Sequence, residues 1–186
     1  QLDGPFCTTT GATVATPCNL FNQQGEDRYS IGSVAASRYF GGVWSDPEPL
    51  EQDNLKGRDA EQPRVVMDGS GNAVVIWQQS KGVTLVSSIY SNRYIVALPT
   101  PGWGSATLVE NADDGMALDP QIAQDDSGNV IAVWRQADSS GRYSTLSNRY
   151  ATGALGAAEP IEQDNAGDAD SPQIAINATG NAIAVW

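Results

Sequence analysis

Apolar residues in this chain do not alternate with polar ones; they come in solid blocks, and the blocks recur. NAVVIW (72–77), NVIAVW (129–134) and NAIAVW (181–186) each run apolar, largely β-branched residues up to a tryptophan. A strand with one wet face would alternate, so these blocks predict strands covered on both faces. No stretch shows a helical period. Each block follows Asp/Asn-x-Ser/Thr-Gly-Asn, where Gly supplies a positive φ and Asp or Asn bonds the local backbone, the makings of a tight hairpin turn. Ahead of each turn stands a proline and a second short apolar run. The spacing predicts strand A over 120–125, strand B over 130–135, strand C over 143–150 and an outer strand D over 158–163.

The prolines fall at Pro63, Pro120 and Pro172, 57 and then 52 residues apart. A second half repeats in step: Ser-Asn-Arg-Tyr at 91–94 and 147–150, with the variant Ala-Ser-Arg-Tyr at 36–39. Each is followed by a bulky residue (Trp44, Trp103, Leu155), then an aliphatic one (Leu50, Val109, Ile161), then Glu51, Glu110 or Glu162. A period near 50 residues signals a propeller or solenoid. Four antiparallel strands per repeat with both faces apolar predict an all-β fold of β-propeller blades, strand A lining the axis.

On these motifs, residues 23–186 resemble bacterial secreted β-propeller repeat proteins with blades of about 50 residues. The resemblance is to an architecture, and it implies no functional residues. The chain divides into residues 1–22, an N-terminal disulfide-tied cap or degenerate hairpin; 23–57, a C–D half; 58–115 and 116–170, two blades; and 171–186, an A–B half. That makes three blade-equivalents, fewer than the about four to eight of a closed ring. The A–B half at one end can complete the C–D half at the other, within one ring or across two chains, and two copies would make six blades. Alternatively the chain is a partial propeller continuing in a longer protein. Phe21-Asn22-Gln23-Gln24, an echo of Ile76-Trp77-Gln78-Gln79, favours the latter.

Composition narrows the functions. Ten Lys and Arg against 22 Asp and Glu give a net charge of −12, which repels a nucleic-acid backbone. With no histidine, every His-dependent triad and imidazole metal site is excluded. No apolar run approaches the roughly 20 residues of a membrane-spanning helix. No secretory signal is visible, and a chain starting at Gln1 reads as a processed product. Cys7 and Cys18, the two cysteines, suit a disulfide worth about 3 kcal/mol by loop entropy, which points to a secreted or cell-surface protein; the alternative is two free thiols. Asn177-Ala178-Thr179 is a formal glycosylation sequon.

Candidate ligand contacts come from the repeat. Arg38, Arg93 and Arg149 recur at one position of strand C, either as guanidinium groups for an anionic or polyhydroxylated ligand or as structural ion pairs with Glu51, Glu110, Glu162, Asp68 or Asp125. Trp44 and Trp103 stand in Gly-rich loops where an indole can stack on a sugar ring, with acidic neighbours taking the hydroxyls; packing over the blade edge is the alternative. Trp77, Trp134 and Trp186 read as wedges between blades. Calcium at the Asp-x-Ser-Gly-Asn turns is a weaker alternative to plain turn chemistry, and no cofactor, metal site or catalytic residue is assigned. Paired carboxylates could hydrolyse glycosides, but a catalytic site breaks repeat symmetry and this chain is monotonous. The expectation is therefore an extracellular, non-catalytic binding or structural module, lectin-like, contacting a glycan or a neighbouring subunit. A fragment of a glycan-active propeller enzyme and an assembly unit of a surface fibre are the alternatives.

Overall fold

The computed structural model describes residues 32–51, 59–81, 86–97, 99–110, 115–151, 153–163 and 167–186. All belong to one unit, Ile31–Trp186. The Cys7–Cys18 pairing and the cap over 1–22 lie outside the described residues. Among those residues every regular element is a β-strand and every pairing antiparallel, so the fold is all-β.

Four successive groups of strands follow the repeat. The first is a half unit, in which β1 (Ala35–Ala36), β2 (Tyr39–Phe40), β3 (Val43–Trp44) and β4 (Glu48–Pro49) pair as β1–β4 and β2–β3. The second is a full sheet of β5 (Ala60–Met67), β6 (Ala73–Lys81), β7 (Val86–Ile95), β8 (Gly102–Trp103) and β9 (Thr107–Leu108). The third repeats it with β10 (Ala117–Gln124), β11 (Val130–Ala137), β12 (Tyr143–Ala151), β13 (Ala154–Leu155) and β14 (Glu159–Pro160). The last is the hairpin of β15 (Gln173–Ile176) and β16 (Ala182–Val185).

The expected four-strand unit needs one correction: its outer strand is two pieces of two residues, each pairing separately with the third strand. The break falls at a glycine. Gly104 and Gly156 donate their amides to the carbonyls of Arg93 and Arg149 at 2.8 Å. A Cβ at Gly156 would meet that carbonyl and Asn148 Oδ1 at 3.3 Å, a tight approach, whereas Ser45 makes the same bond to the Arg38 carbonyl in the first group.

The A–B turns form as their sequence predicts. Gly71 donates to the Asp68 carbonyl and the Asp68 amide to the Asn72 carbonyl, with Gly71 at φ 88°, a type I turn closed by a bulge. Asp125–Asn129 and Asn177–Asn181 repeat it, and Asp138–Arg142 uses the same device between β11 and β12.

Successive sheets pack face to face. Val74, Ile76, Ile89 and Val109 of the second group close on Ala117, Val130, Ala132 and Trp134 of the third. The opposite face of the second group, with Ala60, Val75 and Trp77, closes on Val34 and Leu50 of the first. Neighbouring residues of β6 thus serve two interfaces, which is why its apolar run is unbroken. Trp77 and Trp134 are fully buried, each indole N–H donating to the glutamine two residues on, Gln79 at 3.1 Å and Gln136 at 3.0 Å.

The first strands of successive groups lie beside one another: Arg64 on β5 donates through Nε to Gln121 Oε1 on β10 at 3.3 Å. Register shifts between Glu61 and Arg64 and between Leu118 and Gln121 bulge these strands just before the repeated proline. The residue ahead of each proline is left-handed: Gln62 (φ 51°), Asp119 (φ 55°) and Ser171 (φ 50°).

Candidate functional site

The repeated arginines join neighbouring groups. The Arg38 guanidinium lies over the Tyr94 ring, 4.6 Å from its centroid, and donates through Nη1 to the Tyr94 hydroxyl. Arg93 does the same one repeat later, 4.0 Å from the Tyr150 centroid with Nη1 on the Tyr150 hydroxyl. Arg38 and Arg93 therefore each serve the tyrosine of the following repeat. Arg38 makes an ion pair with Glu48, at 3.7 Å. Arg149 is exposed, and its charge helps to lower the pKa of Asp125.

Glu51 is buried at the end of the first outer strand, taking the Ser33 hydroxyl on Oε1 and the Val34 amide on Oε2 at 2.9 Å. Its carboxylate thereby stitches the end of the half unit to its beginning. Glu110 is buried and Glu162 half-buried at the equivalent positions. The turn carboxylates are likewise engaged. Asp68 Oδ1 accepts the Ser70 and Asn72 amides, both at 2.9 Å, and Oδ2 accepts Asn72 Nδ2 at 2.8 Å. Burial raises the Asp68 pKa, but the bonds from Asn72, Ser70 and Gly71 together outweigh it and leave the pKa below the ordinary value. At Asp125 the Asn129 side-chain bond dominates and lowers the pKa against burial.

Trp44 and Trp103 stand at the same point of the repeat in different surroundings. Trp103 meets Tyr94 edge-on at 5.4 Å and packs against the cluster around Trp77 and Leu50. Trp44 meets Tyr39 at the same 5.4 Å but is 70% exposed. The hairpin bearing it turns at Gly41 and Gly42, both with positive φ. It carries Phe40, 85% exposed, and Val43 as its other paired positions. Arg38 and Glu48 stand beside it. The structure thus brings Arg38 and Trp44 to one hairpin. Trp103 and the Arg93–Tyr150 pair join neighbouring groups, while Glu51 ties together its own unit.

Sequence reasoning missed three sets of residues. Asn92 donates through Nδ2 to the Leu50 carbonyl at 3.1 Å, and Asn148 to the Val109 carbonyl at 2.7 Å, each reaching back one repeat. Tyr94 and Tyr150 receive the arginines. Both sets were visible as constants of Ser-Asn-Arg-Tyr, but their partners lie a repeat away. Phe40 replaces the Ile95 and Ala151 of later copies, and that break in symmetry was its only signal.

No protein-family model and no curated protein matches the sequence. Among solved structures the chain is similar to the endo-arabinase from Bacteroides thetaiotaomicron VPI-5482, with 18% identity and a TM-score of 0.46. The match covers 81% of this chain and 63% of that one, so the chain spans less than two thirds of its length.

Proposed function

We propose that this chain is an extracellular, non-catalytic β-propeller module that works by surface contact, and that the β2–β3 hairpin binds carbohydrate. The propeller reading is supported by successive antiparallel sheets packed on both faces, with their first strands side by side. The non-catalytic reading is supported by the use of the carboxylates: Glu51, Asp68 and Asp125 hold backbone amides, and the last two have pKa values moved away from those of a general acid. A Cys7–Cys18 disulfide would support an extracellular setting.

The exposed aromatic hairpin carries the carbohydrate assignment. Trp44 with Tyr39 on one face of the hairpin and Phe40 with Val43 on the other each offer apolar surface for the C–H side of a sugar, and the Arg38–Glu48 pair beside them supplies groups for hydroxyls. Glycan-array binding of the assembled protein tests it. Phe40→Ala with Trp44→Ala is expected to abolish binding without loss of fold, while Trp103→Ala acts through stability. Retention of no glycan by the wild-type protein rules out the carbohydrate assignment.

A further inference from the structure

We propose that the glycan held by the β2–β3 hairpin is a neutral, linear polysaccharide met along its flank, and that the Arg38–Glu48 pair sets this selectivity. The proposal deepens the carbohydrate assignment above and rests on it.

One face of the hairpin stays open although its neighbour is in place. Arg38 and Phe40 stand two residues apart, and Phe40 pairs with Val43, so the three share one side. That side is turned to the second group, since Arg38 reaches Tyr94 there. The second group nevertheless leaves Phe40 85% and Val43 67% exposed.

The repeat marks the same face by breaking its own symmetry. Ile95 and Gly102 stand where the first group has Phe40 and Val43, and the third group has Ala151 and Ala154. Glu48 corresponds to Thr107 and Glu159. Of the three copies, the first alone combines an aromatic ring, an aliphatic partner, an arginine and a glutamate. Its bulk stands in water, where packing within the fold gains nothing from it.

Shape selects the kind of glycan. An added Cβ at Gly41 or Gly42 would meet no described atom within 4 Å, so the tip stands clear. Sites for small ligands are concave and bury most of the ligand, whereas a projecting hairpin covers one flank of a sugar and leaves the other wet. A pyranose with equatorial hydroxyls presents its axial C–H bonds as that flank, which suits an aromatic ring. A chain joined through equatorial positions repeats the flank at every unit and can be met in any register. A free monosaccharide offers the hairpin a single shallow contact.

Charge narrows the class further. Arg38 gives Nη1 to the Tyr94 hydroxyl, and its Nη2 lies 3.7 Å from Glu48. The pair is thus a donor beside an acceptor with no net charge. It matches hydroxyls, which both give and accept, and it leaves no unbalanced cation for a uronate or a sulfate. The net charge of −12 repels polyanions as well.

The test is affinity electrophoresis of the full chain in gels holding glucomannan or polygalacturonate. Glucomannan is expected to retard the protein and polygalacturonate to leave it unaffected, with millimolar glucose or mannose failing to release it. Glu48→Gln, at an exposed position, frees the Arg38 charge and is expected to raise affinity for polygalacturonate about five-fold at low salt. Arg38→Gln in the same chain should remove that gain, and a gain of binding cannot come from misfolding. Retention of polygalacturonate as strong as that of glucomannan, release by a monosaccharide, or a Glu48→Gln chain with unchanged selectivity overturns the proposal. Retention of neither polymer by a protein that binds other glycans on an array overturns it too, and in each of these cases the carbohydrate assignment stands. A chain that binds neither the polymers nor the array removes both.

Discussion

Arg93 spans two sheets to lie over the ring of Tyr150, 57 positions further along the chain, with its guanidinium carbon 4.0 Å from the ring centroid. The contact is half-buried and each partner stands on a third strand, so it fixes the lateral offset of one sheet against the next. Arg93→Ala is expected to cost about 1–2 kcal/mol in chemical denaturation. Arg93→Lys should recover only part of this, since a lysine keeps the charge and loses the planar stack. Arg149→Ala should change the stability of the isolated chain by a few tenths of a kcal/mol at most, the usual range for an exposed side chain.

Asn148 gives a sharper case. It is buried, and its Nδ2 donates to the carbonyls of Val109 at 2.7 Å and Gly156 at 3.2 Å, bridging two groups. Asn148→Ala leaves the Val109 carbonyl buried without this donor, at a cost of about 1–3 kcal/mol. Asn148→Asp should be worse than Ala, because it turns a carboxylate on the same two carbonyls. Melting temperatures ordered wild type, Ala, Asp would establish the bond; an Asp variant as stable as wild type would refute it.

What the sequence disclosed and what it withheld divide along physical lines. The second strands were legible because Val74 and Ile76 face one neighbour while Val75 and Trp77 face the other, and double burial leaves an unbroken apolar run. The turns were legible because Gly71, Gly128 and Gly180 hold positive φ angles and Asp68 or Asn177 bonds the backbone within the motif. The outer strand was misread as one piece because strands of two residues are too short to show a period. The arginines were offered glutamates as partners because charge is visible in a sequence, whereas the Tyr94 and Tyr150 rings come within reach only when consecutive sheets stack. Nor does a pattern of residue types reveal backbone strain: Gln62, Asp119 and Ser171 share no side-chain chemistry, only their place before a proline.

The turns make stability acid-sensitive in a defined direction. The hydrogen bonds from the turn hold the Asp68 and Asp125 carboxyls below the ordinary carboxylate pKa in the folded state. Their stabilisation is complete above the unfolded value, and it is lost as pH falls through the lower folded value. Asn177 shows that the turn works without a charge, its Oδ1 accepting the Thr179 amide at 3.0 Å and the Asn181 amide at 2.9 Å. Asp68→Asn with Asp125→Asn should therefore fold and lose less stability than wild type between neutral pH and about pH 3. Denaturation midpoints across that range measure it, and parallel curves for the two proteins would contradict the assignment.

Trp134 is sealed between two sheets and donates to Gln136 at 3.0 Å. Trp134→Ala should cost about 3–5 kcal/mol through the cavity it opens. Trp134→Phe should cost less, since it keeps most of the ring volume and loses only the indole N–H bond. If these residues were ligand contacts instead of wedges, Trp134→Phe would leave stability untouched.

The strained residues before the prolines supply the opposite sign. A non-glycine residue at positive φ sits about 1–2 kcal/mol above its preferred conformations, and glycine at the same angle is free of that clash but loses more chain entropy on folding. Ser171 (φ 50°) is exposed, and its one recorded bond is from its own amide to Asp170 Oδ1 at 2.9 Å, which glycine keeps. Ser171→Gly is therefore expected to stabilise the chain by about 0.5–1 kcal/mol, seen as a higher urea midpoint at unchanged slope. Asp119→Gly relieves the same angle but removes the carboxylate held by Arg135 Nε at 2.5 Å, so it should destabilise. If both changes lowered stability equally, strain would not be what separates these two positions.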